Sequence, residues 1–151
     1  MNRRDLYVMD PLDRIDPHAD TTFDFMRQGQ ELGVENWVCG IRDLWCVGDK
    51  GFARAQPVRV RTPTADDASY HSVGDGDVLP FDSCDVIWMR KDPPVDTAYL
   101  SATFLLDRHQ PARTLVINRP DGLRVANEKL WALFAERFMP RTVVSTQTRV
   151  L

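Results

Sequence analysis

Arg90, Lys91 and Asp92 stand between the apolar run Val86-Ile87-Trp88-Met89 and the pair Pro93-Pro94. The run has the length and β-branched start of a buried strand. Two consecutive prolines donate nothing to a sheet ladder, so pairing must stop there. Two cations and a carboxylate are thereby held at a rigid strand exit. In an open α/β sheet, ligands bind outside the carboxyl ends of the strands. A guanidinium at such a point can take a carboxylate through two parallel hydrogen bonds.

A solvated, charged strand end would read the same way in isolation. Two further segments repeat the arrangement: Met9-Asp10-Pro11 and Ile117-Asn118-Arg119-Pro120. If the strands are parallel, all three exits share one edge of the sheet. They would line a crevice with carboxylates, guanidinium groups and an amide, a lining suited to a polar substrate bearing carboxylates and an amine. The recurrence favours a binding face.

The elements that position these residues follow from pattern. Leu6 to Met9 reads as a strand, closed by Asp10-Pro11, and residues 11–20 as a loop. Thr21-x-x-Asp24 resembles a capping box, so a helix is expected to start there, with Phe25, Gly29 and Leu32 on one face. Gly33 sits where a left-handed C-cap falls. Val34 to Val38 resumes as a strand, giving the β-loop-α-β order of a parallel sheet. In the middle, Leu44 to Val47 and Phe52 to Ala55 flank Gly48-Asp49-Lys50-Gly51 as a hairpin. Val58 to Arg61 alternates like a half-exposed strand, and Thr62 to Asp77 reads as a mobile loop.

Asp96 or Thr97 caps the next helix, which should turn Tyr99, Leu100, Thr103, Phe104 and Leu106 inward. Thr114 to Ile117 is a strand. A helix from about Ala126 to Phe138 is expected to bury Leu130, Leu133, Phe134 and Phe138. Pro140 ends it, and Thr142-Val143-Val144 begins a last strand.

Bulk properties narrow the classes. The 151 residues suit one domain, and 43% hydrophobic with 27% charged residues is ordinary for a globular protein. A net charge of -3 argues against nucleic acid as a partner. No apolar run approaches the roughly 20 residues of a membrane span, so no membrane partner is expected. The N-terminus does not read as a signal peptide. Three cysteines without close pairing fit a reducing, cytoplasmic setting, and Cys84 reads as a small buried hydrophobe. Asp10, Asp13, Asp16 and Asp20 lack the spacing and glycine of an EF-hand loop, and His18, His71 and His109 show no ligand spacing, so no metal site is expected. The chain has no G-x-S-x-G elbow, no P-loop and no G-x-G-x-x-G turn, which disfavours a serine hydrolase and a dinucleotide enzyme. Trp37, Trp45, Trp88 and Trp131 lie in or beside apolar segments and are expected in the core.

Taken together, several segments resemble the N-terminal half of the prokaryotic glutathione synthase family, in the ATP-grasp superfamily. They are Val8-Met9-Asp10-Pro11, Asp20-Thr21-Thr22-Phe23, Met89-Arg90-Lys91-Asp92-Pro93-Pro94 with Asp96-Thr97, and Ala102-Thr103. Val116-Ile117-Asn118-Arg119-Pro120, Leu123-Arg124 and Asn127-Glu128-Lys129-Leu130 complete the set. Gly48 to Phe81 carries little of the signal.

The resemblance implies a three-layer, Rossmann-like α/β pre-ATP-grasp domain with a mostly parallel sheet and a small β-hairpin insertion. It would occupy residues 1–125, and residues 126–151 would form a linker helix and strand leading toward an ATP-grasp domain. The implied reaction uses ATP and Mg²⁺ to phosphorylate the cysteinyl carboxylate of γ-glutamylcysteine, and glycine then attacks the acyl phosphate. In the family, the nucleotide-gripping domains and metal carboxylates lie C-terminal to this region. This chain is therefore expected to bind neither ATP nor Mg²⁺ by itself and to contribute no catalytic residue.

Carried over residue by residue, the implied substrate-binding set is Arg90 for a substrate carboxylate, Asp10 and Asp92 for the γ-glutamyl amine or for orienting Arg90, and Thr21, Thr22 and Asn118 as polar contacts. Asn127, Glu128 and Lys129 would fix the helix leading onward. The family's bacterial members form homo-oligomers, so self-association is implied as well. A stand-alone module that binds a γ-glutamyl peptide or a partner ligase subunit, and a purely structural remnant, remain as alternative readings. In a coupled assay, purified residues 1–151 are expected to show no ATP- and glycine-dependent turnover.

Overall fold

The computed structural model describes residues 3–64, 69–126 and 129–150. At its centre is β1 (Arg4–Val8), paired in parallel with β2 (Glu35–Cys39) on one edge and with β7 (Val86–Met89) on the other. β8 (Leu115–Ile117) extends the parallel array beyond β7. A strand covered on both faces needs a continuous apolar run, and Leu6, Tyr7, Val8 and Met9 are all buried. The chain leaves β1 through helix α1 (Thr21–Glu31) to reach β2, then returns past β1 to reach β7. Strand order therefore reverses between β1 and β7.

Leu6, Val8, Ile87 and Met89 pack with Tyr99, Ala102 and Leu106 of helix α2 (Thr97–Leu106). Tyr7 and Met9 pack with Phe23 and Met26 of α1. Helix, sheet and helix thus form the three α/β layers that were expected. A short helix α3 (Pro120–Val125) rests against α2.

The antiparallel half is larger than the expected hairpin, which makes the whole sheet mixed rather than mostly parallel. β3 (Leu44–Val47) and β4 (Lys50–Val60) do form that hairpin, turning at Gly48, whose φ is +61°. β4 then runs on without a break through the segments read separately as Phe52–Ala55 and Val58–Arg61. Val58 is paired both with Asn36 of β2 and with Val73 of β5 (His71–Val73). Ala53 is paired both with Leu44 of β3 and with Leu79 of β6 (Asp77–Pro80). The expected loop from Thr62 to Asp77 therefore contains a strand, held by β4 rather than by its own composition. Residues 65–68 fall outside the described residues.

Side-chain placement corrects several expectations. The buried face of α1 is Thr22, Phe23 and Met26, while Leu32 is exposed. In α2, Ala102 lies inward and Phe104 outward. The expected helix to Phe138 is a 3-10 segment, Lys129–Phe138, interrupted at Ala135. Leu130, Trp131, Leu133, Phe134 and Phe138 are exposed, and so are Val143 and Val144, which lie outside any strand. An amphipathic pattern becomes a stable helix chiefly by packing its apolar face, and no described residue buries this one. Asn127, Glu128 and the Lys129 side chain fall outside the described residues, and so does the role expected of them. No helix among the described residues is long and apolar enough to cross a membrane.

Gly51 on β4 faces the ring of Phe81, which is fully buried. A Cβ at Gly51 would occupy the space of that ring. Gly51→Ala is expected to destabilise the fold by about 1–3 kcal/mol through overpacking, read as a lower denaturation midpoint.

Candidate functional site at the strand-order reversal

An open α/β sheet offers its ligand crevice where strand order reverses, outside the carboxyl ends of the strands. Here that point lies between β1 and β7, and the residues leaving those strands are Met9-Asp10 and Arg90-Lys91-Asp92. The backbone N–H of Arg90 donates to the carbonyl of Val8 at 2.8 Å, which carries the ladder one step beyond β7.

The start of α1 sets the Arg90 side chain. Asp20, not Thr21, is the N-cap: its Oδ1 accepts from the N–H groups of Thr22 at 2.6 Å and Phe23 at 3.3 Å. Both threonine hydroxyls are then available. Arg90 Nε donates to Thr22 Oγ1 at 2.9 Å, and Nη2 donates to Thr21 Oγ1 at 2.8 Å. The guanidinium carbon lies 5.7 Å from the centre of the Phe25 ring, which itself tilts against Trp88 at 5.3 Å. Phe25, expected on the core face, instead forms a platform under the cation. Among the described residues, no carboxylate pairs with Arg90.

Lys91 and Asp10 tie the two strand exits together. Lys91 Nζ lies 3.1 Å from Asp10 Oδ1 and donates to the Asp92 carbonyl at 2.6 Å. Asp10 Oδ2 accepts from the Asp92 backbone N–H at 3.0 Å. Thus Thr21 and Thr22 orient Arg90, Asp10 is engaged by Lys91, and the Asp92 side chain remains exposed beside them. Asn118 is exposed at the end of β8 and lines neither crevice described here, while its neighbour Arg119 turns onto Asp121. Lys91 was missed as a positioning residue, although its place between Arg90 and Asp92 was the available signal.

Arg90, Lys91, Asp10, Asp92 and the prolines line a crevice of about 370 Å³. Across Met9 and Asp10 it adjoins a second cavity of about 600 Å³, lined among others by Cys39, Arg54, Gln56 and His71. None of these four was singled out from sequence as a binding residue. Burial pushes the Cys39 thiol well above its ordinary range, so it stays protonated at neutral pH. Burial also raises the Cys84 thiol, to about 11.

The residues present do not fit Mg²⁺. Among the described residues no group of three or more His, Cys, Asp or Glu side chains could hold a metal ion. In the crevice, Asp10 is taken by Lys91 and Asp20 by helix amides. The loop from β1 to α1 also offers no glycine-rich phosphate cradle, since residues 9–20 contain no glycine.

The sequence profile described as the prokaryotic glutathione synthetase N-terminal domain matches residues 4–124. The chain belongs to this family. It is 44% identical over 142 residues to the glutathione synthetase of Parasynechococcus marenigrum (strain WH8102), covering 94% of this chain and 44% of that protein. Against the glutathione synthetase of Prochlorococcus marinus (strain MIT 9313) the identity is 41%, covering 98% and 46%. For that of Yersinia pestis it is 38%, covering 91% and 42%. The chain therefore spans less than half the length of these glutathione synthetases and corresponds to their N-terminal domain.

Asp20→Ala removes the acceptor for two helix amides in this glutathione synthetase domain. It is expected to lower stability by about 1 kcal/mol, measured by urea denaturation.

Proposed function

We propose that the chain provides the dipeptide-binding wall of a glutathione synthetase, an ATP-driven ligase that joins γ-glutamylcysteine to glycine. The observation that carries this reading is Arg90, a guanidinium held by two neutral hydroxyls and left without a carboxylate among the described residues. Its position at the N-terminus of α1 adds the positive end of the helix dipole. Both effects favour a substrate carboxylate at that point. The exposed Asp92 carboxylate beside it suits an ammonium group. An α-amino-acid head carries both charges, as the γ-glutamyl end of the dipeptide does.

In this reading the chain's own residues bind and orient. Lys91 and Asp10 neutralise one another and hold the two strand exits at a fixed separation, while Thr21 and Thr22 keep the guanidinium turned toward the crevice. ATP and Mg²⁺ would supply the acyl-phosphate chemistry, and in this reading the residues of this chain leave that chemistry to them.

Calorimetric titration with γ-glutamylcysteine tests the proposal. Saturable binding is expected, and Arg90→Ala should weaken it roughly ten- to a hundredfold, the worth of a hydrogen-bonded charge. Binding that is unchanged in Arg90→Ala, or no binding by the parent chain, overturns it.

A further inference from the structure

The middle strand β4 presents one face that changes character along its length. Residues 54, 56, 58 and 60 share that face, because side chains alternate along a strand. Val58 and Val60 are buried against Phe23 and Met26 of α1. Arg54 and Gln56, farther toward the carboxyl edge of the parallel strands, are exposed and line the 600 Å³ cavity. On the opposite face Ala53 and Ala55, which flank Arg54 and Gln56, are packed in the core, and Arg59 farther along is exposed. β4 is therefore apolar where α1 covers it and polar where it walls the crevice.

The strands beside β4 open the same place. β2 and β3 are separated at Gly40–Asp43, and β5 and β6 at Gly74–Gly76. The cavity lies between these interruptions, with Asp10 shared between it and the Arg90 crevice. Its charges are unevenly matched. Asp43 Oδ2 accepts from the Gly40 N–H at 2.9 Å, Asp13 lies 3.5 Å from His71 Nε2, and Asp10 is engaged by Lys91. Arg54 has no ion pair among the described residues. His71 keeps a buried Nδ1 without a hydrogen-bond partner there, a polar atom that burial leaves costly until something pairs with it.

We propose that Arg54, Gln56 and His71 form a second subsite, which receives the cysteinyl carboxylate end of the same peptide whose α-amino-acid head is held at Arg90. This assignment rests on the dipeptide reading above. A γ-glutamyl dipeptide carries two carboxylates joined by a short, largely apolar chain with one amide. Among the described residues, Arg54 in one crevice and Arg90, with Arg14 beside it, in the other have no ion pair, and between the crevices Met9 gives an apolar floor. An amide N–H or a thiol of the ligand can meet the open His71 nitrogen when that nitrogen is the acceptor.

The test compares two probes by calorimetry: γ-glutamylcysteine, and the γ-glutamyl amide of cysteamine, which lacks the second carboxylate. Arg54 is exposed, so Arg54→Gln leaves the core intact. Arg54→Gln should weaken the dipeptide about tenfold or more and leave the cysteamine amide unchanged, whereas Arg90→Ala should weaken both. If Arg90→Ala weakens the dipeptide and Arg54→Gln does not, the second subsite is wrong while the Arg90 reading stands. If both probes lose equally with Arg54→Gln, the carboxylate assignment is wrong. If neither substitution affects the dipeptide, or the parent chain binds neither probe, both readings fall.

Discussion

The parallel register between β1 and β7 is the constraint on which the rest of the molecule depends. It sets Val8 opposite Met89, so that Asp10 and the Arg90-Lys91-Asp92 exit emerge on one edge. Side-chain contacts secure that register. The Asp85 carboxylate accepts from the Arg4 backbone N–H at 2.7 Å. Buried Asp5 is met by Arg3 through both carboxylate oxygens and by Trp88 Nε1 at 2.9 Å. Tyr7 stacks on Trp88 at 5.8 Å on the face toward α1. A slip of one residue would turn every one of these side chains to the wrong face.

Charge is divided unequally among the groups at the strand exits. Lys91 and Asp10 are each other's partner and act as a brace. Arg90 receives its geometry from hydroxyls, which fix direction without cancelling charge. A carboxylate in place of Thr21 or Thr22 would have held the guanidinium as well and removed its attraction for an anion. The threonines therefore do two things at once: they open a helix capped by Asp20, and they aim a cation that keeps its field.

Much of this was legible in the residues. The Val86–Met89 run with its prolines marked a strand end, Gly33 marked the end of α1 with a φ of +80°, and of the two caps read for α2, Asp96 or Thr97, Asp96 is the one that serves. The cap of α1 was misplaced by one residue because Asp20, Thr21 and Thr22 are all competent caps, and only the backbone decides which side chain reaches the amides. β5 was invisible because His71-Ser72-Val73 has no apolar alternation and is ordered by pairing with β4. The segment from Lys129 to Phe138 does carry a helical pattern, but pattern alone does not form an α-helix when nothing covers the apolar side. Arg54 was not singled out, and His71 was weighed only as a metal ligand, for a related reason: they reach the crevice through antiparallel pairings that no local spacing announces.

The distance along the chain between the two walls of the crevice has its own consequence. The Arg4 amide and the Asp85 carboxylate that help fix β1 to β7 are 81 residues apart, whereas β3 and β4 are joined by a tight turn. Loop-closure entropy makes local pairings inexpensive and distant ones slow. In chain entropy the hairpin is thus the cheapest of these pairings to close and β1–β7 the most costly. The crevice lies on that costliest seam, so a ligand that touched both walls would offset part of the cost of holding it shut.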